Sequence, residues 1–256
     1  EGIDPVYVFD GRPHELKRET LKGRRERKTE AASRWEAAVE AGDMTAAKKL
    51  GPQTAEYTRE MVAETKRLFE LLGVAWVEAP MEAEGAAAVR CARGEVGAVA
   101  SQDWDTLLYG APVMVRNLTS HGTRRFGRML QAEKVVLADT LAKHDITHEQ
   151  LVDLGIMIGT DFHPGIRGIG PKTGLKLIRE HGTLEAVAEA RGFEIPERLD
   201  EIRSLFLEHP TTPDALPRST HAVEEDLRAF LQDERGFSEG RVQRALDRLT
   251  SVARLR

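Results

Sequence analysis

Two pairs of carboxylates lie within one short stretch of the chain, and their types and spacing suit metal chemistry. Glu82 and Glu84 are one residue apart, as are Asp103 and Asp105. Neither pair contains a basic residue, so carboxylates brought together there would raise each other's pKa unless a cation held them. Ligand sets made of oxygen alone suit Mg²⁺ or Mn²⁺ rather than Zn²⁺. The stretch therefore indicates a divalent metal site.

The aspartate pair follows a predicted strand. The small apolar run at residues 96–100 is typical of a buried strand, and residues two apart in an extended segment point to the same side. Asp103 and Asp105 could therefore both face the crevice outside the strand ends, where open α/β sheets place their sites. Asp10 and Asp161 also follow predicted elements, although the Asp-Gly dipeptide at Asp10 is by itself usually only a turn.

The glutamate pair lies at the predicted start of a helix. Pro80 suits a first helical turn, and the helix is expected to continue to Gly94. Residues two apart on a regular helix diverge, so Glu82 and Glu84 converge only if the first turn is irregular. Acidic residues also favour helix N-termini for electrostatic reasons alone, and that alternative stays open for the glutamate pair.

The composition limits the class of protein. A chain of 256 residues can bury a sizeable core as one large domain or as a domain with an appended module. No apolar run approaches the roughly 20 residues needed to span a bilayer, and no signal peptide is visible. The single cysteine, Cys91, excludes a disulfide framework and fits a reducing interior.

Charge is distributed unevenly along the chain. The net charge is −5, which by itself argues against a polyanionic partner. Residues 12–28, however, contain eight basic and three acidic residues, so this segment carries +5 and the remainder −10. Helix-prone residues continue to about residue 50 with little apolar periodicity, which indicates either a solvated charged helix or one that phosphates order. Gly51 and Pro52 predict a break after it.

Strands and helices alternate along the chain, which predicts an α/β fold with a mostly parallel central sheet flanked by helices. Strands are expected at residues 5–10, 75–79, 96–100, 112–118 and 135–137. Helices are expected at residues 55–72, 80–94, 151–158, from 171 onward, at 184–190, 196–208, 222–232 and from 241 onward. A capping box from Thr147 to Gln150 marks one helix start.

A glycine-rich turn precedes one of these helices. Gly168 and Gly170 allow close approach of a backbone or a phosphate, and a helix starting at Pro171 would present free N–H groups to an anion. Lys172 and Lys176 add positive charge on the first two turns. The pattern predicts DNA-backbone binding without sequence preference, and it lacks the order and spacing of a nucleotide-binding P-loop.

Four motifs occur in order and resemble those of the flap endonucleases, structure-specific 5′ nucleases of DNA replication and repair. They are Val8–Pro13, Glu78–Glu84, Ala100–Asp105 and the segment from Gly159 through Lys172. The resemblance covers essentially the whole chain and is closest to the archaeal members. It implies a helical arch at about residues 12–50 and a helix–two-turn–helix DNA-binding region at about 151–180.

The resemblance implies a two-metal-ion phosphodiesterase with 5′ flap endonuclease and 5′–3′ exonuclease activity. The implied ligands are Asp10, Glu82 and Glu84 for one Mg²⁺ and Asp103, Asp105 and Asp161 for the other, with Mn²⁺ able to substitute. Lys17 and Arg24, seven residues apart and hence on one helical face, match the arch residues that contact the scissile phosphate. Gly168, Gly170, Lys172 and Lys176 match the element that holds duplex DNA, with K⁺ at the turn carbonyls.

The resemblance also sets expectations for the whole protein. It implies a nuclease core at residues 1–145 and a helical part at 146–256. Family members carry a further N-terminal segment, with a first strand and another ligand aspartate, and a C-terminal clamp-binding tail, so we expect this chain to be a fragment lacking both. A monomeric, cytoplasmic, nucleoid-associated archaeal protein without membrane contact is expected, with a sliding clamp as partner of the full-length form.

Two alternative functions stay open. A related 5′ nuclease acting on RNA ends would share the acidic α/β core. A non-catalytic binder of DNA junctions would keep the basic arch and the glycine turn without metal-dependent cutting. Comparison of flap DNA with unstructured RNA, and of binding with cleavage, separates these alternatives from the flap nuclease.

Overall fold

The computed structural model describes residues 3–55, 57–125 and 127–253. Its contacts divide the chain into two compact units. Unit 1 contains Glu1–Phe9, Glu26–Glu78 and Asp214–Arg256, and unit 2 contains Asp10–Arg25 and Ala79–Pro213. This division rests on compactness alone, so the predicted boundary between a nuclease core and a helical part stays a prediction.

The fold is predominantly helical with short strands. The strands are β1 Val6–Phe9, β2 Ala75–Glu78, β3 Val99–Ala100, β4 Val113–Arg116, β5 Arg124–Arg125, β6 Arg128–Met129 and β7 Glu133–Val136. The helices are α1 Arg18–Glu40, α2 Met44–Thr54, α3 Arg59–Leu72, α4 Ala83–Ala92, α5 Asp105–Leu108, α6 Leu137–His144, α7 His148–Ile158, α8 Pro171–His181, α9 Leu184–Arg191, α10 Leu199–Leu207, α11 Glu224–Arg228 and α12 Glu239–Ala253. No described helix is both long and apolar enough to pass through a membrane.

The strands form separate small sheets in the two units. In unit 1, β1 pairs with β2 in parallel. In unit 2, β3 pairs in parallel with β4, and β4 pairs antiparallel with β7, while β5 and β6 form a hairpin. The predicted α/β class is confirmed: helices alternate with strands along the chain, and two of the strand pairs are parallel. The strand predicted at residues 96–100 is shorter, since only Val99 and Ala100 join the ladder.

Unit 1 is built on the amphipathic helix α3. Thr58 caps it by accepting a hydrogen bond from the N–H of Met61, so the helix begins at Arg59 rather than at the predicted residue 55. Gly73 ends it in the left-handed conformation (φ 63°). Its apolar face packs against α11 and α12, where the buried residues are Leu227, Val242 and Leu246.

Unit 2 is built on a helical core. The residues at most 1% exposed include Val152, Ile156, Met157, Ile178 and Phe206, which come from α7, α8 and α10. The predicted capping box is present. The backbone N–H of Gln150 donates to Oγ1 of Thr147, and the backbone N–H of Thr147 donates to Oε1 of Gln150. Burial of this kind contributes about 1.5–3 kcal/mol per large aliphatic side chain. The core therefore fixes the ends of α7 and α8, which lead to the candidate site.

Two predictions from proline are wrong. Pro52 does not break the chain but lies inside α2. Near a helix end, proline removes only one backbone hydrogen bond. The N-cap side chain of Asp43 and the buried residues Ala47 and Leu50 stabilise the helix. Pro80 does not open α4, which begins at Ala83 with Glu82 as its N-cap.

The sequence patterns also do not predict the helices α5 and α6. The charged stretch is helical as expected, and Ala31 is the buried residue of α1.

Candidate active site

Three carboxylates of unit 2 come together at the start of α4. Asp10, Glu82 and Glu84 each offer one oxygen, and these oxygens lie within 4.8 Å of one another. The N–H of Ala83 donates to Oδ1 of Asp10 at 2.9 Å, which ties the aspartate to the first turn of α4. A Cβ on Gly11 would lie 1.9 Å from the Ala79 carbonyl oxygen, so glycine is needed for this approach.

The glutamates converge because the start of α4 is not regular helix. Glu82 has extended backbone angles (φ −77°, ψ 131°) as the N-cap, whereas Glu84 lies in the first turn. The structure therefore has the irregular first turn that convergence requires. Burial raises the pKa of Glu84, and the charges of Asp10 and Asp103 raise it further.

The aspartate pair does not have the predicted geometry. Asp103 lies in the loop after β3, but Asp105 begins the short helix α5. The Asp105 N–H donates to Oδ1 of Asp103 at 3.0 Å, and the Asp103 N–H donates to Oγ of Ser101 at 3.0 Å. The expectation of an extended segment is wrong because short polar side chains that accept nearby N–H groups favour a turn.

Asp105 is electrostatically coupled to the other acidic residues. Burial, together with the charges of Asp103, Asp161 and Glu84, raises the pKa of Asp105 to about 7, against a smaller lowering by Lys17. Among the residues that the structure describes, only Asp10, Glu82 and Glu84 form a set close enough to share one ion. The structure therefore places Asp103, Asp105 and Asp161 as charged neighbours of that set rather than as part of it.

Two basic side chains contact the acidic residues directly. Lys17 Nζ contacts Glu82 Oε2 and lies 3.1 Å from Oδ2 of Asp161. Arg24 Nη2 lies 2.6 Å from Oδ1 of Asp161. Burial acts to lower the pKa of Lys17, but the contacts with Glu82 and Asp161 outweigh it and raise that pKa. Glu82 and Asp161 are therefore each paired with a cationic side chain.

Three further residues border the site and were not candidates from the sequence. Thr20 donates its hydroxyl to the backbone carbonyl of Asp161 at 2.8 Å. Burial raises the pKa of the Tyr109 phenol, and the charges of Glu82 and Asp105 add to the effect. His209 is 5% exposed. Its ring packs closely against Gly85, because a Cβ on Gly85 would lie 2.4 Å from the ring atom Cδ2. Only Tyr109 had a sequence signal, being one helical turn after Asp105.

The glycine turn lies where the sequence predicts it. Gly168 has φ 86°, and Gly170 is the N-cap of α8 with Pro171 in the first turn and no side chain capping the helix. Ile169 between them is buried and anchors the turn in the core of unit 2. Lys172 and Lys176 are exposed on α8. The N–H groups at the start of α8 therefore have no side-chain cap.

The acidic residues fit a hard divalent cation. All their donors are carboxylate oxygens, the ligands that Mg²⁺ and Mn²⁺ prefer. The raised pKa values of Glu84 and Asp105 show that the cluster favours added positive charge. A divalent ion would supply that charge more effectively than protons at neutral pH.

Comparison with known proteins gives consistent matches. The model of the XPG N-terminal domain matches residues 1–31, and that of the XPG I-region matches residues 73–161. Flap endonuclease 1 of Methanosarcina barkeri is 40% identical over 258 residues, which cover 99% of this chain and 76% of that protein. The solved flap endonuclease-1 from Methanococcus jannaschii has a TM-score of 0.71 at 37% identity, covering 96% of this chain and 75% of its own.

A more distant solved structure has the same fold. The catalytic core of Rad2 in complex with DNA substrate has a TM-score of 0.73 at 21% identity, covering 97% of this chain and 79% of its own. At that identity the match supports the fold alone.

Proposed function

This chain belongs to the flap endonuclease family of structure-specific, metal-dependent 5′ nucleases, and on that basis we propose that it hydrolyses DNA phosphodiesters at 5′ flaps. The observation that carries the proposal is the contact of Glu82 and Asp161 with two basic side chains, those of Lys17 just before α1 and Arg24 on α1. Carboxylates that could hold cations and side chains that could hold a phosphate lie at one place. Replication and repair of DNA are the processes in which such flaps arise.

We propose that two divalent ions bind the acidic residues. Asp10, Glu82 and Glu84, whose oxygens already converge, would hold one ion. Asp103, Asp105 and Asp161, which do not form such a set without ions, would hold the other by moving together around it. Mg²⁺ is the proposed ion, and Mn²⁺ is an expected substitute because it accepts the same oxygen ligands. Bound there, the ions would supply Lewis acidity at the phosphate and acidify water at neutral pH.

The proposed role of Lys17 and Arg24 is to neutralise charge on the phosphate. Without metal ions, both side chains contact carboxylates that would bind those ions. Metal binding would therefore release Lys17 and Arg24 to contact a phosphate. Charged donors aimed at a developing negative charge typically contribute a factor of 10² to 10³ to the rate. Lys17 directly precedes α1 and Arg24 lies on its second turn, and the contacts of both with Asp161 support this role.

The proposed duplex-binding element is the turn before α8. Its free N–H groups and its two exposed lysines suit phosphate oxygens, and base edges are not needed for such contacts. The Rad2 core was solved with a DNA substrate, and we propose DNA as the partner of this chain as well. A K⁺ ion at the turn carbonyls, a monomeric state, proximity to the nucleoid and a sliding clamp as partner are further proposals from the family.

The test is cleavage of labelled 5′-flap DNA in Mg²⁺ by the wild type and by Asp103→Ala. We expect the wild type to cut near the base of the flap and the variant to lose at least about 10²-fold in rate, because a ligand of the proposed site is removed. Asp139→Ala, which removes an exposed carboxylate of α6, is the matched control and should cut normally.

Two results would contradict the proposal. Equal rates for the wild type and Asp103→Ala would rule out the metal assignment of that residue. Preferred cutting of unstructured RNA would favour the nuclease of RNA ends, and DNA binding without any metal-dependent cutting would favour the junction binder.

A further inference from the structure

We propose that Thr20 is a positioning residue for cleavage, a role that rests on the nuclease function proposed above. Its hydroxyl fixes the first turn of α1 to the backbone of Asp161, and so holds Lys17 and Arg24 beside the acidic cluster. The contact is a hydrogen bond of 2.8 Å from Thr20 Oγ1 to the carbonyl oxygen of Asp161. It joins two residues that are 141 positions apart in the chain.

Three side chains at or just before the start of α1 contact the same residue, Asp161. Lys17, Thr20 and Arg24 follow the spacing of three and four residues that places side chains on one helical face. Lys17 and Arg24 contact the Asp161 carboxylate, at 3.1 and 2.6 Å respectively. The backbone of Asp161 thus accepts a bond from a neutral group, while its side chain pairs with two cations.

Only the threonine contact is compatible with the proposed reaction. The carboxylate of Asp161 would be needed for an ion, and Lys17 and Arg24 would be needed for the phosphate, so their ion pairs would be exchanged for other partners. The backbone carbonyl has no such second role. A hydrogen bond between neutral groups is also insensitive to the charge state of the site. We therefore infer that Thr20 keeps the base of α1 in place while the charged groups change partners.

The acceptor of this bond is held in place by its neighbours. The N–H of Thr160 donates to the carbonyl of His163 at 2.8 Å, and the N–H of Phe162 donates to Oγ1 of Thr160 at 3.2 Å. The Phe162 side chain is buried in the core of unit 2. The Asp161 carbonyl therefore has a well-defined position, and the exposed, charged helix α1 is bonded to it.

Other helical threonines of this chain use their hydroxyls differently. Thr65, Thr140 and Thr250 each donate to the carbonyl four residues earlier in the chain, at 2.7, 2.9 and 2.9 Å. This local bond is the common habit of threonine inside a helix. Thr20 instead donates to a distant carbonyl, so its hydroxyl serves a tertiary contact.

The test compares Thr20→Val, Thr20→Ser and the control Thr140→Val. Valine keeps the branched shape and the helix propensity of threonine but removes the hydroxyl, and serine keeps the hydroxyl. We expect Thr20→Val to cut flap DNA about 5- to 10-fold more slowly in single turnover, the effect of one lost hydrogen bond. Its Kd for the same DNA in Ca²⁺ should stay within about twofold, since many phosphate contacts share the binding.

The two other variants should cut like the wild type, Thr20→Ser because it restores the donor and Thr140→Val because its lost bond is local to α6. Hydrogen exchange of amides 21–25 without DNA or divalent ions should be faster by a similar factor in Thr20→Val only. Unchanged cleavage, an equal loss of rate and affinity, or failure of serine to rescue would overturn the role of Thr20. A wild type that does not cut flap DNA would overturn the proposed function itself.

Discussion

The charge of Asp105 depends strongly on its surroundings. Burial and the neighbouring carboxylates raise its pKa to about 7, whereas an exposed aspartate ionises near 3.8. An acid with a raised pKa in the folded state binds a proton more tightly there than in the unfolded chain. The folded protein therefore loses stability as the pH rises from about 4 to about 7. Above pH 7 the cost of ionising Asp105 in the folded state is complete.

We predict that Asp105→Asn stabilises the protein at pH 8 when divalent ions are chelated. The expected gain in the free energy of unfolding is on the order of 1–3 kcal/mol, because the amide removes the buried charge that its neighbours repel. Urea denaturation with EDTA at pH 4 and at pH 8 measures the effect, which should nearly vanish at pH 4. Asp139→Asn is the control, and a variant no more stable than the wild type at pH 8 would disprove the coupling.

At the scale of elements, one arginine joins three helices of unit 2. Arg203 on α10 forms two hydrogen bonds to Asp153 on α7, at 2.7 and 2.8 Å, and two to Glu185 on α9, at 2.6 and 2.7 Å. Asp153 is 4% exposed and also accepts from the N–H of Leu184 at 2.9 Å. These helices carry the core on which the candidate site rests, so the network supports the site indirectly.

We predict that Arg203→Met lowers the free energy of unfolding by about 3–5 kcal/mol at pH 7, because it leaves the buried Asp153 charge without its partner. Glu185→Gln should cost less than about 1 kcal/mol, since the Glu185 side chain is 42% exposed and water screens its pair. Urea denaturation measures both changes. Equal costs for the two variants would show that Asp153 does not depend on Arg203.

The same network has a definite pH dependence. Arg203 lowers the pKa of Glu185 to about 2 from an ordinary value of 4.5. A carboxylate with a lowered pKa stabilises the fold fully above its unfolded pKa and loses that effect as the pH falls through its folded pKa. The difference between the wild type and Glu185→Gln should therefore shrink between about pH 4.5 and pH 2.

Local patterns predicted the parts of this molecule that local forces determine. The capping box at Thr147, the end of α3 at Leu72 and the glycine turn at Gly168 all follow from interactions within a few residues. The helical start at Asp105 escaped prediction because the Asp103 side chain bends the chain into a turn. Thr20 escaped it because its partner lies 141 residues away, and no periodicity signals such a contact.

At the scale of the whole molecule, charge and stability are linked through divalent ions. The net charge is −5, although residues 12–28 alone carry +5, so acidic residues predominate elsewhere and several of them meet in one cluster. An ion that binds only the folded protein stabilises it by RT ln(1 + [ion]/Kd), or about 2.7 kcal/mol at a hundredfold excess over Kd. Monovalent salt stabilises acidic residues only by screening their charges, and its effect does not depend on the occupancy of a specific site.

We predict that Mg²⁺ and Mn²⁺ raise the melting temperature of the wild type by several degrees with a saturating dependence. Asp10→Asn should abolish most of that increase, because it removes one oxygen ligand from the three-carboxylate set. The measurement is thermal unfolding across a Mg²⁺ titration, with NaCl added to hold ionic strength constant. Asp139→Asn should respond like the wild type. If NaCl alone reproduced the increase, or if Asp10→Asn retained it, Asp10 and its neighbours would not be a metal site.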